Sequence, residues 1–290
     1  MKILVTGKNG QLGNAIAQRA ENCHNDTFIF SDKDDLDLTS PEEVSAKIRQ
    51  IKPDILINCA GYTAVDDAED NEKQAYLLNG TIPGLFAALS KELNFLLIHI
   101  STDYVFGGKH YKPYEEDDPY QGRSIYGLSK IAGEENIMIE SGRAVIIRTS
   151  WLYSATGKNF VKTMLRLGKE KETIGVVFDQ IGTPTYAPDL AEAILHIARE
   201  SKNIKDISIY HYSNEGAVSW YDFAKTIMET ARLKCHVRPL LSHEYPSKAP
   251  RPFYSVLNKT KIKEDFSLSI PYWKDSLIRC LQETDIMNDH

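Results

Sequence analysis

Two side chains four residues apart, Tyr126 and Lys130, have the types and the spacing to carry out proton and hydride chemistry. On a helix, positions i and i+4 lie on the same face, so the amino group can approach the phenol. A lysine in this place stabilises tyrosinate, which moves the phenol from its reference pKa of about 10 toward working pH. A proton donor beside a carbonyl oxygen is what hydride addition requires. The pair predicts hydride transfer at a carbonyl carbon, with Tyr126 and Lys130 as catalytic residues.

The same spacing occurs a second time, at Tyr221 and Lys225, so position must distinguish the two copies. Tyr126 opens a predicted helix that follows an apolar strand ending near Ser101 and Thr102. In an open parallel sheet, ligands bind at the carboxyl ends of the strands. There the two hydroxyls can donate to a substrate carbonyl or tune the phenol. Tyr221 lies instead on an amphipathic helix among other aromatic residues, which predicts a packing role.

Three glycines at equal spacing, Gly7, Gly10 and Gly13, follow the first predicted strand and open the first helix. Glycine lets the backbone turn sharply and approach phosphate oxygens, while the free amides of the helix end point at the anion. The spacing is GxxGxxG rather than the GxGxxG of the common dinucleotide fingerprint. Its place between a strand and a helix nevertheless predicts binding of a dinucleotide pyrophosphate, and hence NADPH or NADH as the cofactor.

An acidic residue, Asp32, lies just past the second predicted strand. A carboxylate there can accept hydrogen bonds from the adenosine ribose, and it repels a 2′-phosphate, which favours NADH. The adjacent Lys33 could offset that repulsion, so the choice between the two cofactors stays open at this point. Asp37 and Leu38, on the next short loop, could lie beside the adenine.

Strands and helices alternate through the first half of the chain. Apolar runs typical of strands lie at 2–6, 27–31, 54–58, 95–100 and 144–147. Strands this uniformly apolar are buried on both faces, as in a parallel sheet covered by helices. The pattern predicts an α/β fold with a Rossmann-type doubly wound parallel sheet and right-handed crossovers. A long helix is expected over 71–93, with a bend near Gly80 and Pro83.

After residue 150 the predicted strands and helices no longer alternate regularly. Helices are expected at 159–168, 188–200, 220–232 and 272–283, with short strands near 174–177 and 207–211. These pieces predict two domains. Residues 1–150 would form the NAD(P)-binding Rossmann domain, and residues 151–290 mainly a smaller C-terminal substrate-binding lobe, with some segments open to returning to the Rossmann sheet.

Composition excludes several classes of function. The net charge is −6, from 34 basic and 40 acidic residues, which argues against a nucleic-acid partner or an anionic membrane surface. The four cysteines show no CxxC spacing and the eight histidines are scattered, so no metal site is expected. The sequence shows neither a signal peptide nor an apolar run of membrane-spanning length, which predicts a cytoplasmic protein.

Longer motifs carry a family resemblance over nearly the whole chain. Together with the glycine loop and the YxxxK spacing, the sequence STDYVF at 101–106 resembles the extended short-chain dehydrogenase/reductase family, in particular its nucleotide-sugar reductases. Further matching blocks lie at 58–66, 148–153, 157–165, 179–185 and 251–257. The resemblance implies hydride delivery from NADPH or NADH to the C4 ketone of dTDP-4-dehydro-β-L-rhamnose, giving dTDP-β-L-rhamnose.

The resemblance also implies roles for individual residues. Tyr126 would be the proton donor, and Thr102 would adjust its acidity. Thr102, Asp103 and Trp151 would line the sugar site. Contacts to the cofactor would come from Gly7, Gly10, Gln11, Leu12, Gly13, Asp32, Asp37, Leu38, Ala60, Gly61, Tyr62, Thr63, Tyr126 and Lys130.

Two further residues have chemistry that suits a nucleotide sugar. The indole of Trp151 can stack on a sugar face or a thymine ring, the alternative being a core tryptophan after the fifth strand. Arg251, between prolines on an expected loop at 246–252, can bind a diphosphate bidentately, the alternative being an exposed loop arginine.

The sequence also departs from the family pattern. Some members use glutamates for a magnesium-bridged dimer, whereas this chain has Asn14 and Ala15 near the first helix and Asp189 in the later region. This predicts no such metal and leaves a homodimer open. Two rival functions remain: a non-catalytic dinucleotide-binding regulatory subunit, or a nucleotide-sugar epimerase or dehydratase. Related dehydratases place a glutamate where this chain has Tyr104.

Overall fold

The chain alternates strands and helices, and the computed structural model describes residues 1–284. The strands are β1 (Lys2–Thr6), β2 (Thr27–Ser31), β3 (Ile55–Asn58), β4 (Leu96–Thr102), β5 (Ala144–Thr149), β6 (Leu152–Tyr153), β7 (Thr173–Val177), β8 (Ile181–Gly182), β9 (Thr185–Tyr186), β10 (Ile207–Tyr212), β11 (Val218–Ser219) and β12 (His236–Leu240). The helices are α1 (Gln11–Ala20), α2 (Pro41–Ile51), α3 (Val65–Ala68), α4 (Glu72–Tyr76), α5 (Ile82–Leu93), α6 (Ile125–Glu140), α7 (Phe160–Glu170), α8 (Ala187–Arg199), α9 (Trp220–Thr230), α10 (Thr260–Phe266) and α11 (Trp273–Glu283).

Six strands form the central sheet in the order β10-β5-β4-β3-β1-β2, and every neighbouring pair is parallel. The chain leaves β1 toward β2 on one side and then returns to β3 on the other. Such a reversal opens a crevice at the carboxyl ends of the strands, where doubly wound folds bind their ligands. The predicted fold class, a Rossmann-type parallel sheet, is confirmed.

Alternate residues of the strands build two apolar layers, one on each face of the sheet. Leu4, Leu56 and Leu97 pack against α2, α5 and α6 on one face. Val5 and Ile57 pack against α1 and α8 on the other. All of these side chains are buried. Burial on both faces explains why the strands read as continuous apolar runs.

A second apolar core lies in the second half of the chain. It joins α7, α9 and α11 to the parallel pair β7 and β12. The short pairs β6 with β9 and β8 with β11 connect this core to the carboxyl end of the main sheet. One segment of the second half, β10, pairs with β5 and forms an edge of the main sheet. Residues 285–290 of the predicted C-terminal lobe lie outside the described part of the chain.

The elements differ from the sequence expectations in a few places. Strand β4 continues to Thr102, two residues further than expected. The helix expected over 71–93 is three pieces, because a π-helical turn at Leu77–Thr81 separates α4 from α5 near the expected bend. Strand β12 was not expected, because it is short and contains Pro239, and helix α10 was not expected, because it is short and rich in charged residues.

The described residues lack membrane-spanning helices, metal-binding clusters and disulfides. Within residues 1–284, no helix has the length and apolarity that crossing a bilayer requires. The same residues contain no cluster of three or more His, Cys, Asp or Glu side chains able to hold a metal ion. All four cysteines are free thiols.

Candidate active site

A cleft of ≈ 720 Å³ lies at the carboxyl ends of the central strands. This volume falls within the range of small-molecule and cofactor sites. Most of the residues singled out in the sequence line it: Gly7, Gly10, Gln11, Leu12, Asp32, Asp37, Leu38, Ala60, Gly61, Thr63, Thr102, Asp103, Tyr126, Lys130 and Trp151. Segments far apart in the chain therefore meet at one place.

Three of the expected site residues stand outside the lining. Gly13 supports the loop from behind, since a Cβ there would lie 2.1 Å from the carbonyl oxygen of Gly7. Tyr62 turns its hydroxyl to Asp67. Arg251 binds Asp66 and donates to the hydroxyl of Tyr104 at 3.1 Å.

The glycine loop has the backbone shape that a bound phosphate requires. Gly7 has φ +73°, and a Cβ there would lie 2.8 Å from the amide nitrogen of Ala60. The amide of Gly10 donates to the carbonyl of Gly7 at 3.0 Å, which closes the turn. Helix α1 then begins with the uncharged residues Gln11 and Leu12. Gly10, Gln11 and Leu12 line the cleft, and the first turn carries no carboxylate that would repel an anion, so the residues present fit a dinucleotide.

Asp32 orders the backbone beside the glycine loop. Its carboxylate accepts from the amide of Asn9 at 2.6 Å and from that of Lys33 at 2.7 Å. On the neighbouring loop, Asp37 accepts from the amide and the hydroxyl of Thr39, and these bonds lower the pKa of Asp37. Both carboxylates lie at the end of the cleft where an adenosine ribose would be recognised.

Helix α6 holds Tyr126 in the cleft through local contacts. The Ser124 hydroxyl caps the helix by accepting from the amide of Gly127 at 3.1 Å. A Cβ on Gly127 would lie 2.4 Å from the carbonyl oxygen of Tyr104, so only glycine allows this close approach. The rings of Tyr104 and Tyr126 meet edge to face at 5.4 Å.

The acidity of Tyr126 differs from the sequence expectation. Burial raises the pKa of the Tyr126 phenol, and the adjacent Thr102 hydroxyl acts in the opposite direction. Burial therefore outweighs the lowering that was expected from Lys130. The phenol is therefore held neutral, which is the form that can donate a proton.

Lys130 lies buried beneath the cleft on the same face of α6. Its amino group donates to the carbonyl oxygen of Ile100 at 2.6 Å and lies 3.2 Å from Nε2 of His99. Burial lowers the pKa of Lys130 to about 8. The amino group is therefore poised to change its charge near neutral pH.

The end of β4 supplies a hydroxyl and a carboxyl group. Thr102 donates to Oδ1 of Asp103 at 3.0 Å, while Oδ2 of Asp103 has no hydrogen-bond partner within residues 1–284. Burial raises the pKa of Asp103 to about 7. Ser101, expected to face a substrate carbonyl, instead donates to Glu134. Its hydroxyl is engaged because it belongs to a buried cluster behind the cleft.

That cluster centres on an ion pair between Arg148 of β5 and Glu134 of α6. Nη2 of Arg148 lies 2.8 Å from Oε2 of Glu134, and both side chains are buried. Tyr120 donates to Glu134 at 2.8 Å, and Arg148 donates to the carbonyl oxygen of Glu116 at 3.0 Å. The pair fixes α6 to the sheet.

At the other end of the cleft, Trp151 stacks on a second tryptophan. The rings of Trp151 and Trp220 are 3.5 Å apart and 8° from parallel. Trp151 has φ +47°, a left-handed conformation that is costly for a bulky residue. Gly182 leaves room for the indole, since a Cβ there would lie 2.6 Å from it. Packing therefore holds an aromatic surface toward the cleft.

Sequence reasoning missed several residues at the cleft. Asn79 accepts from the amide of Tyr62 at 2.8 Å and donates to Ser129 at 3.0 Å, which joins the loop after β3 to α6. Lys158 adds an exposed cation to the lining. A signal existed for Asn79, because an amide in the middle of an apolar helix needs a hydrogen-bond partner.

Comparisons with known proteins find relatives over nearly the whole chain. The family model described as RmlD substrate binding domain matches residues 1–286. The spore coat polysaccharide biosynthesis protein SpsK of Bacillus subtilis (strain 168) is 41% identical over 283 residues, 97% of each chain. The dTDP-4-dehydrorhamnose reductase of Escherichia coli (strain K12) is 37% identical over 294 residues, 98% of each chain. A crystal structure of dTDP-4-dehydrorhamnose reductase from Bacillus anthracis str. Ames in complex with NADP has a TM-score of 0.92 and 40% identity, covering 98% of this chain and 99% of that one.

Gly13 provides a test of the loop. We expect Gly13→Ala to raise the Kd for NADPH at least about tenfold, because the added methyl group would displace the carbonyl of Gly7. Fluorescence titration of NADPH measures this. Gly142→Ala is the matched control, since its Cβ would lie 3.5 Å from the nearest atom, and it should bind as the native protein does. Equal affinities for all three proteins would contradict the role of the loop.

Proposed function

This chain belongs to the RmlD substrate binding domain family, and from that membership we propose that it is a nucleotide-sugar reductase. The proposed reaction reduces the C4 ketone of dTDP-4-dehydro-β-L-rhamnose to dTDP-β-L-rhamnose, with NADPH or NADH as the reductant. The observation that carries it is the meeting of Tyr126, Lys130 and Thr102 with the glycine loop in one cleft. NADP occupies the crystal structure of the relative from Bacillus anthracis.

The roles of the residues follow from their surroundings. The dinucleotide, when bound, supplies the hydride. Tyr126 gives its proton to the ketone oxygen, and the neutral phenol maintained by burial is the form required. The hydroxyl of Thr102 positions that oxygen beside the phenol. Lys130, charged below its pKa of about 8, stabilises the tyrosinate left after proton transfer.

The partners of Tyr104 favour reduction over elimination. A dehydratase needs an additional acid or base at this position, whereas the Tyr104 hydroxyl accepts a hydrogen bond from Arg251. Burial is the largest effect on the pKa of Tyr104 and raises it, so the hydroxyl stays protonated and is not available as a base. A regulatory subunit without activity can retain the YxxxK motif, so support for the reductase comes from Thr102, Asp103, Ser150 and Trp151, which line the same cleft.

The second half of the chain would bind the nucleotide sugar. Trp151 offers an aromatic face to a sugar or a thymine ring. Arg251 is held by Asp66 at 2.5 Å, close to the cleft, where it could exchange this carboxylate for a diphosphate. Four free thiols suit a reducing compartment, so we place the protein in the cytoplasm. A homodimer stays a prediction.

Two tyrosines with the same local spacing test the choice of site. We expect Tyr126→Phe to lower kcat at least about 100-fold, the contribution of one general acid. Tyr221→Phe should have nearly native turnover, because Tyr221 packs on the second apolar core. Steady-state rates with the keto sugar and NADPH measure both. Equal losses would show that the YxxxK motif at 126–130 has been assigned the wrong role.

Asp32 tests the recognition of the cofactor. We expect Asp32→Ala and Asp32→Asn to raise the ratio of kcat/KM for NADPH to that for NADH about tenfold, because each removes a negative charge facing the 2′-phosphate. The asparagine variant retains an acceptor for the amide of Asn9, so it separates charge from loop order. An unchanged ratio in both variants would mean that Asp32 does not contact the ribose.

The stoichiometry tests the class of reaction. With dTDP-4-dehydrorhamnose and limiting NADPH, we expect one rhamnose nucleotide for each NADPH oxidised. Product analysis by chromatography and absorbance at the nicotinamide band provide the two counts. Product formed without net oxidation, or turnover of dTDP-glucose with retained NAD⁺, would favour an epimerase or dehydratase.

A further inference from the structure

A row of polar residues crosses the sheet beneath the active site. Thr6, Asn58 and His99 are the register partners on β1, β3 and β4. They follow the apolar row of Leu4 and Leu56 by two positions, so they face the same side as α5 and α6. All three are buried. The strands otherwise carry apolar side chains on this face. Buried polar groups here must therefore find hydrogen-bond partners.

The row is a continuous chain of hydrogen bonds that ends at Lys130. The hydroxyl of Thr6 lies 2.7 Å from Oδ1 of Asn58, and Nδ2 of Asn58 lies 3.0 Å from Nδ1 of His99. Nε2 of His99 then lies 3.2 Å from Nζ of Lys130. An ammonium group has three N–H donors, and His99 and the Ile100 carbonyl engage two of them.

The order of donors in this chain depends on the charge of Lys130. A neutral imidazole has one donor and one acceptor nitrogen. Where the Asn58 amide donates to Nδ1, the hydrogen of His99 is on Nε2 and can be donated to an uncharged Lys130 amine. Where the Asn58 amide is turned by 180°, its oxygen accepts from Nδ1–H, and Nε2 accepts from a Lys130 ammonium. Thr6 matches either orientation because a hydroxyl both donates and accepts.

Of the ionisable groups around Lys130, only His99 is placed to exchange a hydrogen bond with its amino group in both charge states. Glu134, one turn further along α6, raises the pKa of Lys130 but is paired with Arg148. Cys59, after β3, is kept as a neutral thiol because burial raises its pKa to about 12. Tyr126, one turn earlier, faces the cleft. Burial, with Lys130 adding to it, lowers the pKa of His99 well below its ordinary value, so the imidazole stays neutral.

We propose that His99, oriented by Asn58 and Thr6, is a positioning residue that holds the Lys130 amino group in both of its charge states. It accepts a hydrogen bond from the ammonium and donates one to the amine. Lys130 can then lose and regain a proton without leaving a buried donor or acceptor unpaired, which would be costly. The expected effect of His99 on turnover rests on the proposed reductase function. Its expected effect on the pKa of Lys130 does not.

Two amide substitutions of His99 provide a matched pair. The amide of Gln can occupy the place of Nε2 and reach Lys130, whereas that of Asn occupies the place of Nδ1 and reaches only Asn58. We expect His99→Gln to retain the pKa of Lys130. His99→Asn should lower it by about one unit, because a charge-assisted hydrogen bond to the ammonium is lost. The ¹³Cε resonance of Lys130, in full-length protein labelled at lysine and assigned with Lys130→Arg, reports this titration directly.

A third variant should act in the opposite direction. Asn58→Asp places an acceptor against Nδ1, which fixes the hydrogen there and leaves Nε2 to accept from the ammonium. We expect the pKa of Lys130 to rise by at least about one unit in this variant, because the carboxylate adds negative charge and also keeps Nε2 as an acceptor. It also serves if either His99 variant fails to fold. An unchanged or lowered pKa in Asn58→Asp would contradict the proposal.

Activity profiles separate this proposal from the proposed function. The alkaline limb of kcat against pH should move with the pKa of Lys130, downward in His99→Asn and upward in Asn58→Asp, while the KM for the sugar stays within about twofold. Slower turnover in His99→Asn with a native Lys130 titration would assign His99 a packing role only and overturn the proposal. The expected titrations in a protein without reductase activity would instead contradict the proposed function and leave the role of His99 supported.

Discussion

The buried ion pair between Arg148 and Glu134 determines where α6 lies, and the site depends on that position. Both charges are removed from water, and leaving either one alone in such a place costs about 3–5 kcal/mol. Ser101, Tyr120 and the Glu116 carbonyl complete their hydrogen bonds. Strands β4 and β5 and the segment before α6 therefore share one fixed point. Glu134 lies one helical turn after Lys130. The ion pair therefore fixes the position of Tyr126 and Lys130 relative to the cleft.

Burial shifts three groups of the site toward their uncharged forms. It raises the pKa of Tyr126 and Asp103 and lowers that of Lys130. The common cause is the low-dielectric floor of the cleft, where strand ends and α6 exclude water. Near neutral pH the phenol of Tyr126 is therefore neutral, while Lys130, below its pKa of about 8, is still mostly charged. An anionic cofactor and substrate would meet the amides of α1 and the cations Lys130 and Lys158 in the cleft, with Arg251 beside it.

Much of the fold and part of the site could be predicted from the sequence, and the limits have physical reasons. The buried parallel strands and the glycine loop are local patterns, and they place the YxxxK motif at the correct edge of the sheet. The direction of Ser101 could not be predicted, because it depends on a partner 33 positions away on α6. The shift of Tyr126 was expected with the wrong sign, since the sequence shows the lysine but not the depth of burial. The role of His99 could not be predicted either, because the sequence shows only one polar residue in an apolar strand and not the partners that it contacts across the sheet.

The two apolar cores are not two successive stretches of chain. Helices α8 and α10 and strand β10, all after residue 186, complete the layer that covers one face of the main sheet. A fragment ending at residue 150 would leave β5 as an open edge with unpaired amides, beside an uncovered row of Ile and Val side chains. Exposed edges of this kind invite aggregation. We therefore expect the first half of the chain to fold together with these later segments, and its cooperative unfolding to include them.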